Sequence, residues 1–236
     1  MGRVFEKRKH KMFARFDKMA KSFTKIGKEI AIAVKQGGPE PDNNPRLRTA
    51  ILNGRGVNMP KDRIENAIKK ASTKEAGNFE EIVYEGYGPH GVPIVIECAT
   101  DNPTRTVANI RMYFSRGNGT LGKTGSLDFL FVRKGVFRLE KSPSLNPDEL
   151  ELELIDYGLD NLEVDDEQVI IYTAFSDYGK MQKGLEDRKI PVKKAGLERI
   201  PTNFSEVTEA QADEVLELID RFEEDDDVQA VYHNLR

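Results

Sequence analysis

The chain has 236 residues, 38% of them hydrophobic and 32% charged, with a formal net charge of −4. That length supports one to three domains with real cores, and no run approaches the roughly 18 apolar residues of a membrane span. The single cysteine, Cys98, excludes an internal disulfide, and three scattered histidines (His10, His90, His233) add no recognisable metal-ligand spacing.

The N-terminal stretch MGRVFEKRKHKMF is basic but has no apolar h-region or small-residue cleavage site, so it is not read as a secretory signal. A reducing cytoplasm is the expected location, with no membrane as partner. Lys7 to Ala20 can form a helix, with Met12, Phe13, Phe16 and Met19 available for packing. From Ser22 to Gln36 a second helix is predicted, since Phe23, Ile26, Ile30 and Val34 recur at helical spacing and Ser22 is placed to cap its start. Gly37-Gly38-Pro39 stops it. Asn44-Pro45 restarts a helix as N-cap and first residue, with Leu47, Ala50 and Ile51 as its buried stripe. Pro60 opens the next, with Ile64, Ala67 and Ile68 inward.

The character changes at about Asn78. Val92 to Thr100 (VPIVIECAT) is an apolar, β-rich run of the buried type. A helix with Val107, Ile110 and Phe114 on one face follows TDNPTRT. The segment SLDFLFVRKGVFRLE is predicted as two strands around Lys134-Gly135. After it come a helix (NPDELELELIDYG), a strand (EQVIIYTAF), a helix (SDYGKMQKGLEDR) and an extended run (IPVKKAGLERI). The helix EAQADEVLELIDRFEED, with Val215, Leu218, Ile219 and Phe222 inward, and a final strand DDVQAVYHN close the chain. Two small antiparallel α+β units account for this order.

Charge divides the chain at the same place. Residues 1–78 carry 19 Lys+Arg against 8 Asp+Glu, a net of +11, and the remainder carries a net of −15. Such asymmetry points to a polyanion-binding arm on an acidic body; the plainer alternative is two solvated surfaces of opposite sign. The phosphate-contact candidates are Lys7, Arg8, Lys9, Lys11, Arg15, Lys18, Lys21, Lys25 and Lys28, then Arg46, Arg48, Arg55, Lys61, Arg63, Lys69 and Lys70. Helices 45–55 and 60–71, joined by a short glycine-containing turn, have the outline of a helix-turn-helix, though an ordinary three-helix bundle also has short loops.

Two stretches invite an enzymatic reading. Gly117 to Thr124 (GNGTLGKT) fits the pattern of a nucleotide-binding loop, but it leaves a helix and enters a strand, the reverse of what phosphate binding requires. The glycines more simply supply a tight connection. Thr100-Asp101-Asn102 with Arg105 and Thr106 could orient a substrate, whereas Asp101 or Asn102 as helix cap and Arg105 as an ion-pair partner is the plainer account. Cys98 lies in an apolar run as an inert thiol, and His90 lies in the turn GYGPHG. Tyr84, Tyr87 and Phe79 could stack on bases or serve packing. No catalytic residue, metal or cofactor is expected.

Asn58-Met59-Pro60-Lys61-Asp62, followed by IENAIKKA, resembles the YebC family, which includes bacterial proteins labelled probable transcriptional regulators and the mitochondrial translational activator of cytochrome c oxidase I. The likeness continues through GGPEPDNNPRLR, YEGYGPHGV, IVIECATDNPTRT and NGTLGKTGSLDFLF. It departs at Gly2-Arg3-Val4-Phe5, where family members commonly carry Gly-His-Ser-Lys-Trp, while Lys9-His10-Lys11, Asp17 and Phe23-Thr24-Lys25 fit. The resemblance implies three domains: a basic helical domain at 1–78, a middle α+β domain at 79–134 plus 205–236, and an acidic α+β domain at 135–204 inserted within it. It also implies nucleic-acid binding without catalysis. Two roles follow from it, DNA-binding transcriptional regulation or association with the ribosome through ribosomal RNA, with a protein partner for the acidic domains.

Overall fold

The computed structural model describes residues 3–73, 77–142 and 145–236, with side chains from Met19 onward. The chain divides into two compact units, the first ending at Phe79 and the second beginning at Glu80.

The first unit is helical: α1 (Arg3–Gly37), α2 (Pro45–Gly56) and α3 (Lys61–Ala71). The two helices predicted before Gly37 are one continuous helix of 35 residues. No glycine or proline interrupts residues 3–26, and Thr24 bends its hydroxyl back to the carbonyl of Ala20 at 3.1 Å. A hydroxyl satisfied inside the helix has no need to start a new one, so Ser22 lies within α1 rather than capping it. Met12, Phe13 and Phe16, expected to pack, lie outside the described side chains.

Gly38, at φ +83°, ends α1 in the left-handed conformation that glycine adopts without a steric penalty. Asn44 then does three things at once. Its Oδ1 accepts from the amide of Leu47 at 3.0 Å, capping α2. Its Nδ2 donates to the carbonyls of Ala33 at 2.7 Å and Gly38 at 2.9 Å. A single buried side chain thereby ties the end of α1 to the start of α2. Ile26, Ile30, Ala33 and Val34 of α1 meet Leu47 and Ala50 of α2, Met59 of the connection and Ile64 of α3 in one core.

The second unit holds two four-stranded sheets, with every strand pair antiparallel. The first sheet has the order β3-β1-β2-β8, with β1 (Glu80–Tyr87), β2 (Pro93–Thr100), β3 (Thr120–Leu121) and β8 (Val228–His233). Helices α4 (Pro103–Arg116) and α7 (Glu209–Glu223) pack Ile110, Phe114, Val215, Leu218 and Phe222 against Val92, Ile94, Ile96 and Cys98. The opposite face of β2 buries Val95 with Leu127 and Phe131. Burial on both faces explains why this strand reads as an unbroken apolar run instead of an alternating one.

The second sheet has the order β5-β6-β4-β7, with β4 (Phe131–Glu140), β5 (Leu159–Val164), β6 (Gln168–Ala174) and β7 (Val192–Pro201). Helices α5 (Pro147–Leu154) and α6 (Tyr178–Asp187) belong to it, and Phe137 stacks on Tyr178 at 4.9 Å. The two strands expected around Lys134-Gly135 are one strand, β4. Gly135 pairs with Thr173 on one side and Leu197 on the other. A Cβ there would stand 2.6 Å from the Thr173 methyl and 2.8 Å from the Tyr178 ring, so the glycine serves close approach and not a turn. Arg199 of β7 pairs with Glu97 of β2 at 3.0 Å and joins the two sheets.

Candidate nucleic-acid interface

Because the apolar stripes of α1, α2 and α3 face one another, their polar faces carry the cations outward. Lys7, Arg8, Lys9, Lys11, Arg15 and Lys18 fall on the N-terminal half of α1, outside the described side chains. Lys21, Lys25 and Lys28 continue along α1 half-buried, and the Lys28 ammonium lies 5.5 Å from the centre of the Phe79 ring. Arg46 donates to Gln36 at 2.8 Å. Arg48 is turned inward and donates to the carbonyls of Pro41 and Asp42 at 2.8 and 3.0 Å, so it holds the connection between α1 and α2.

Arg55, at the end of α2, is exposed, as are Lys61, Arg63, Lys69 and Lys70 of α3. Lys61 pairs with Glu65 at 3.5 Å, an exposed i,i+4 contact of small energetic weight. Lys69 and Lys70 occupy the last turn of α3, where cations complement the helix dipole. Helix α1 packs on both α2 and α3, whereas α2 and α3 meet each other only lightly, so α1 is the hub of the unit.

A cleft of about 390 Å³ opens between α1 and α3. Phe23, Met59 and Ala67 line its apolar floor, and Arg63, Asn66 and Lys70 stand around it. The Arg63 guanidinium lies 5.7 Å from the centre of the Phe23 ring. Phe23 read as a core position from its spacing, Met59 entered only through the motif Asn58–Asp62, and Asn66 carried no signal beyond falling one helical turn from both Arg63 and Lys70.

In the second unit the residues that look reactive are engaged internally. Asn102 caps α4 by accepting from the Arg105 amide at 3.1 Å. Arg105 pairs with Asp101 at 3.0 Å and with buried Asp227 at 2.7 Å; hydrogen bonding to Asp227 and Asp101 raises its pKa above the usual arginine value. The Thr106 hydroxyl is 2.7 Å from that of Thr100 and donates to Asp227 at 2.8 Å. These six residues form a structural knot between β2, α4 and the chain entering β8. In the glycine loop, the amides of Gly125 and Leu127 donate to the carboxylate of Glu85 at 2.8 and 2.7 Å. These amides just past Gly117–Thr124 hold a carboxylate of the chain's own, 2% exposed, and within that stretch the Gly122 amide donates to the Glu85 carbonyl at 2.7 Å.

Cys98 is buried, and His90 reaches Glu214 at 2.9 Å from a turn that it enters at φ +60°. Tyr84 packs against the first sheet's core, and burial raises its hydroxyl pKa. Tyr87 is exposed. Among the described residues no group of three or more His, Cys, Asp or Glu is placed to hold a metal ion, and no helix is long and apolar enough to cross a membrane.

A helical unit with outward cations, followed by a unit of two antiparallel sheets, defines a mixed α+β protein with a helical N-terminal part. Residues 3–74 match the TACO1/YebC protein N-terminal domain, and residues 79–235 match the TACO1/YebC second and third domain. The chain belongs to the YebC family. A "probable transcriptional regulatory protein" of Cytophaga hutchinsonii is 56% identical across 100% of this chain and 98% of its own length. One of the same description from Parabacteroides distasonis is 49% identical across 100% of this chain and 97% of its own. Among solved structures, a conserved hypothetical protein from Aquifex aeolicus superposes with a TM-score of 0.83 at 37% identity, covering 92% of this chain and 90% of that one. The names carried by its relatives point to a regulator and not to an enzyme.

Proposed function

We propose that this protein is a cytoplasmic, non-enzymatic regulator of gene expression that binds nucleic acid through its N-terminal helical unit. The observation that carries this is the outward set of Arg55, Lys61, Arg63, Lys69 and Lys70 on a segment of net charge +11. Phosphate contacts by such side chains supply most of the affinity of a nucleic-acid-binding surface. The names of its relatives support transcriptional regulation, and duplex DNA is the target that goes with that role. The aromatic-floored cleft supports the second form, ribosomal RNA and translation. In either form the second unit acts as two domains, 79–134 with 205–236 and 135–204, whose acidic surface docks a protein partner or positions the basic arm.

The test is titration of the full chain into a duplex DNA and into a ribosomal RNA fragment over a series of salt concentrations. The logarithm of the binding constant is expected to fall linearly with the logarithm of salt. Arg55→Gln and Lys69→Gln should each reduce that slope by about one. Arg48→Gln should leave it unchanged, because that guanidinium is held by Pro41 and Asp42. Binding to neither nucleic acid at low salt would refute the proposal.

A further inference from the structure

We propose that the cleft between α1 and α3 seats one unpaired nucleobase of a single-stranded RNA, with the adjoining phosphate held by Arg63 and Lys70. This rests on the nucleic-acid-binding reading above and names the part of the target that the unit grips. The floor offers an aromatic face, Phe23, beside the soft side chain of Met59 and the small Ala67, in a space of about 390 Å³. Arg63 lies against the same ring at 5.7 Å. At that distance the guanidinium itself covers the ring, so a planar base takes its place on the Phe23 face while the exposed Arg63 side chain swings aside to stack on the base or meet its phosphate.

Helical geometry places the polar groups correctly. Arg63, Asn66 and Lys70 fall at i, i+3 and i+7 on α3, which puts them on one face of the helix. The Asn66 amide, exposed at the cleft, carries both donors and an acceptor for a base edge. Arg63 and Lys70 bracket it with the two positive charges that a backbone phosphate on either side of the base would meet. No carboxylate lines the cleft among the described residues. A base inside a duplex is stacked on both faces and shows only its edges to the grooves. A pocket with an aromatic floor therefore selects a base already unstacked, and unpaired loops and ends are where RNA is read.

The experiment uses the full chain, a short single-stranded RNA with 2-aminopurine at one position, and the same RNA annealed into a duplex. Phe23→Leu keeps an apolar floor but removes the aromatic face, and Arg63→Lys keeps the charge but removes the guanidinium plane. The wild-type protein should prefer the single strand and change the 2-aminopurine fluorescence on binding. Phe23→Leu should weaken single-strand binding by about tenfold with its salt slope unchanged, and should leave duplex binding as it was. Arg63→Lys should act in the same direction, and because Arg63 is exposed it decides the matter if Phe23→Leu lowers the melting temperature. Equal single-strand affinity in wild type and Arg63→Lys, or a wild-type preference for the duplex, would overturn the cleft assignment while leaving phosphate-driven binding in place. Absence of salt-dependent binding to both RNAs would also overturn the cleft assignment, and the same absence with a duplex DNA of matching sequence would overturn the broader reading.

Discussion

The helical unit and the α+β unit both contain cations and amide groups suited to anions, and they use them in opposite ways. In the α+β unit several such groups meet an anion of the chain itself: Arg105 meets Asp227, Arg199 meets Glu97, Arg138 meets Glu198, and the amides of Gly125 and Leu127 meet Glu85. In the helical unit Arg55, Lys69 and Lys70 point outward on helices whose acids are few. A cation held by a buried carboxylate stabilises a fold, whereas one left at the surface is available to a polyanion. The comparison therefore assigns structure to one set of charges and, under the proposed function, recognition to the other, in line with the plainer account of Arg105 that the sequence offered.

The sharpest way to break that comparison is to remove an internal anion. Asp227→Ala leaves Arg105, Thr100 and Thr106 without their common acceptor and should cost the protein about 4 kcal/mol in chemical denaturation. A loss as small as that of a surface substitution would contradict the structural role given to Arg105. Overpacking comes next: Gly135→Ala drives a methyl against Thr173 and Tyr178 and should cost about 2 kcal/mol by the same measurement. On the helical side, Asn44→Ala removes one cap and two cross-links to α1. It should cost roughly 1.5 kcal/mol and weaken nucleic-acid binding only through loss of folded protein.

The smallest effect concerns acid. Burial pushes the pKa of His233 below its ordinary 6.5, and its Nδ1 accepts from the Leu235 amide at 3.2 Å. The unfolded chain therefore takes up the proton before the folded one, so stability is complete above 6.5 and falls as the pH drops through that value. The melting temperature should decline more between about pH 7.5 and pH 5.5 in the wild type than in His233→Gln. An equal decline in both would show that His233 contributes nothing to acid sensitivity.

Much of this architecture was legible from local rules. Asn44-Pro45 announced a cap and a first turn, and the structure shows both. The apolar spacing of α4 and α7 marked their buried faces, and Asn102 capped α4 as its position suggested. Two boundaries failed because the deciding contacts are distant. Gly135 looked like a turn, but the crowding that requires it comes from Thr173 and Tyr178, about 40 residues further on. Ser22 looked like a cap, but nothing local ends the helix before it. Strand β5 was not read at all, since LDNLEV lies at a sheet edge with four of its six positions in solvent and shows little apolar pattern.

By itself, then, the sequence determined the two-part charge division, the helical N-terminal part and the α+β remainder, because these depend on composition, capping and periodicity within a few turns. Only the tertiary structure decided which charges are engaged. Glu85 lies about 40 residues before the loop amides it satisfies, and Asp227 about 120 residues after Arg105, so no window along the chain contains both partners. The cleft has the same origin: Phe23 and Arg63 stand 40 residues apart in sequence and meet only because α3 packs back on α1.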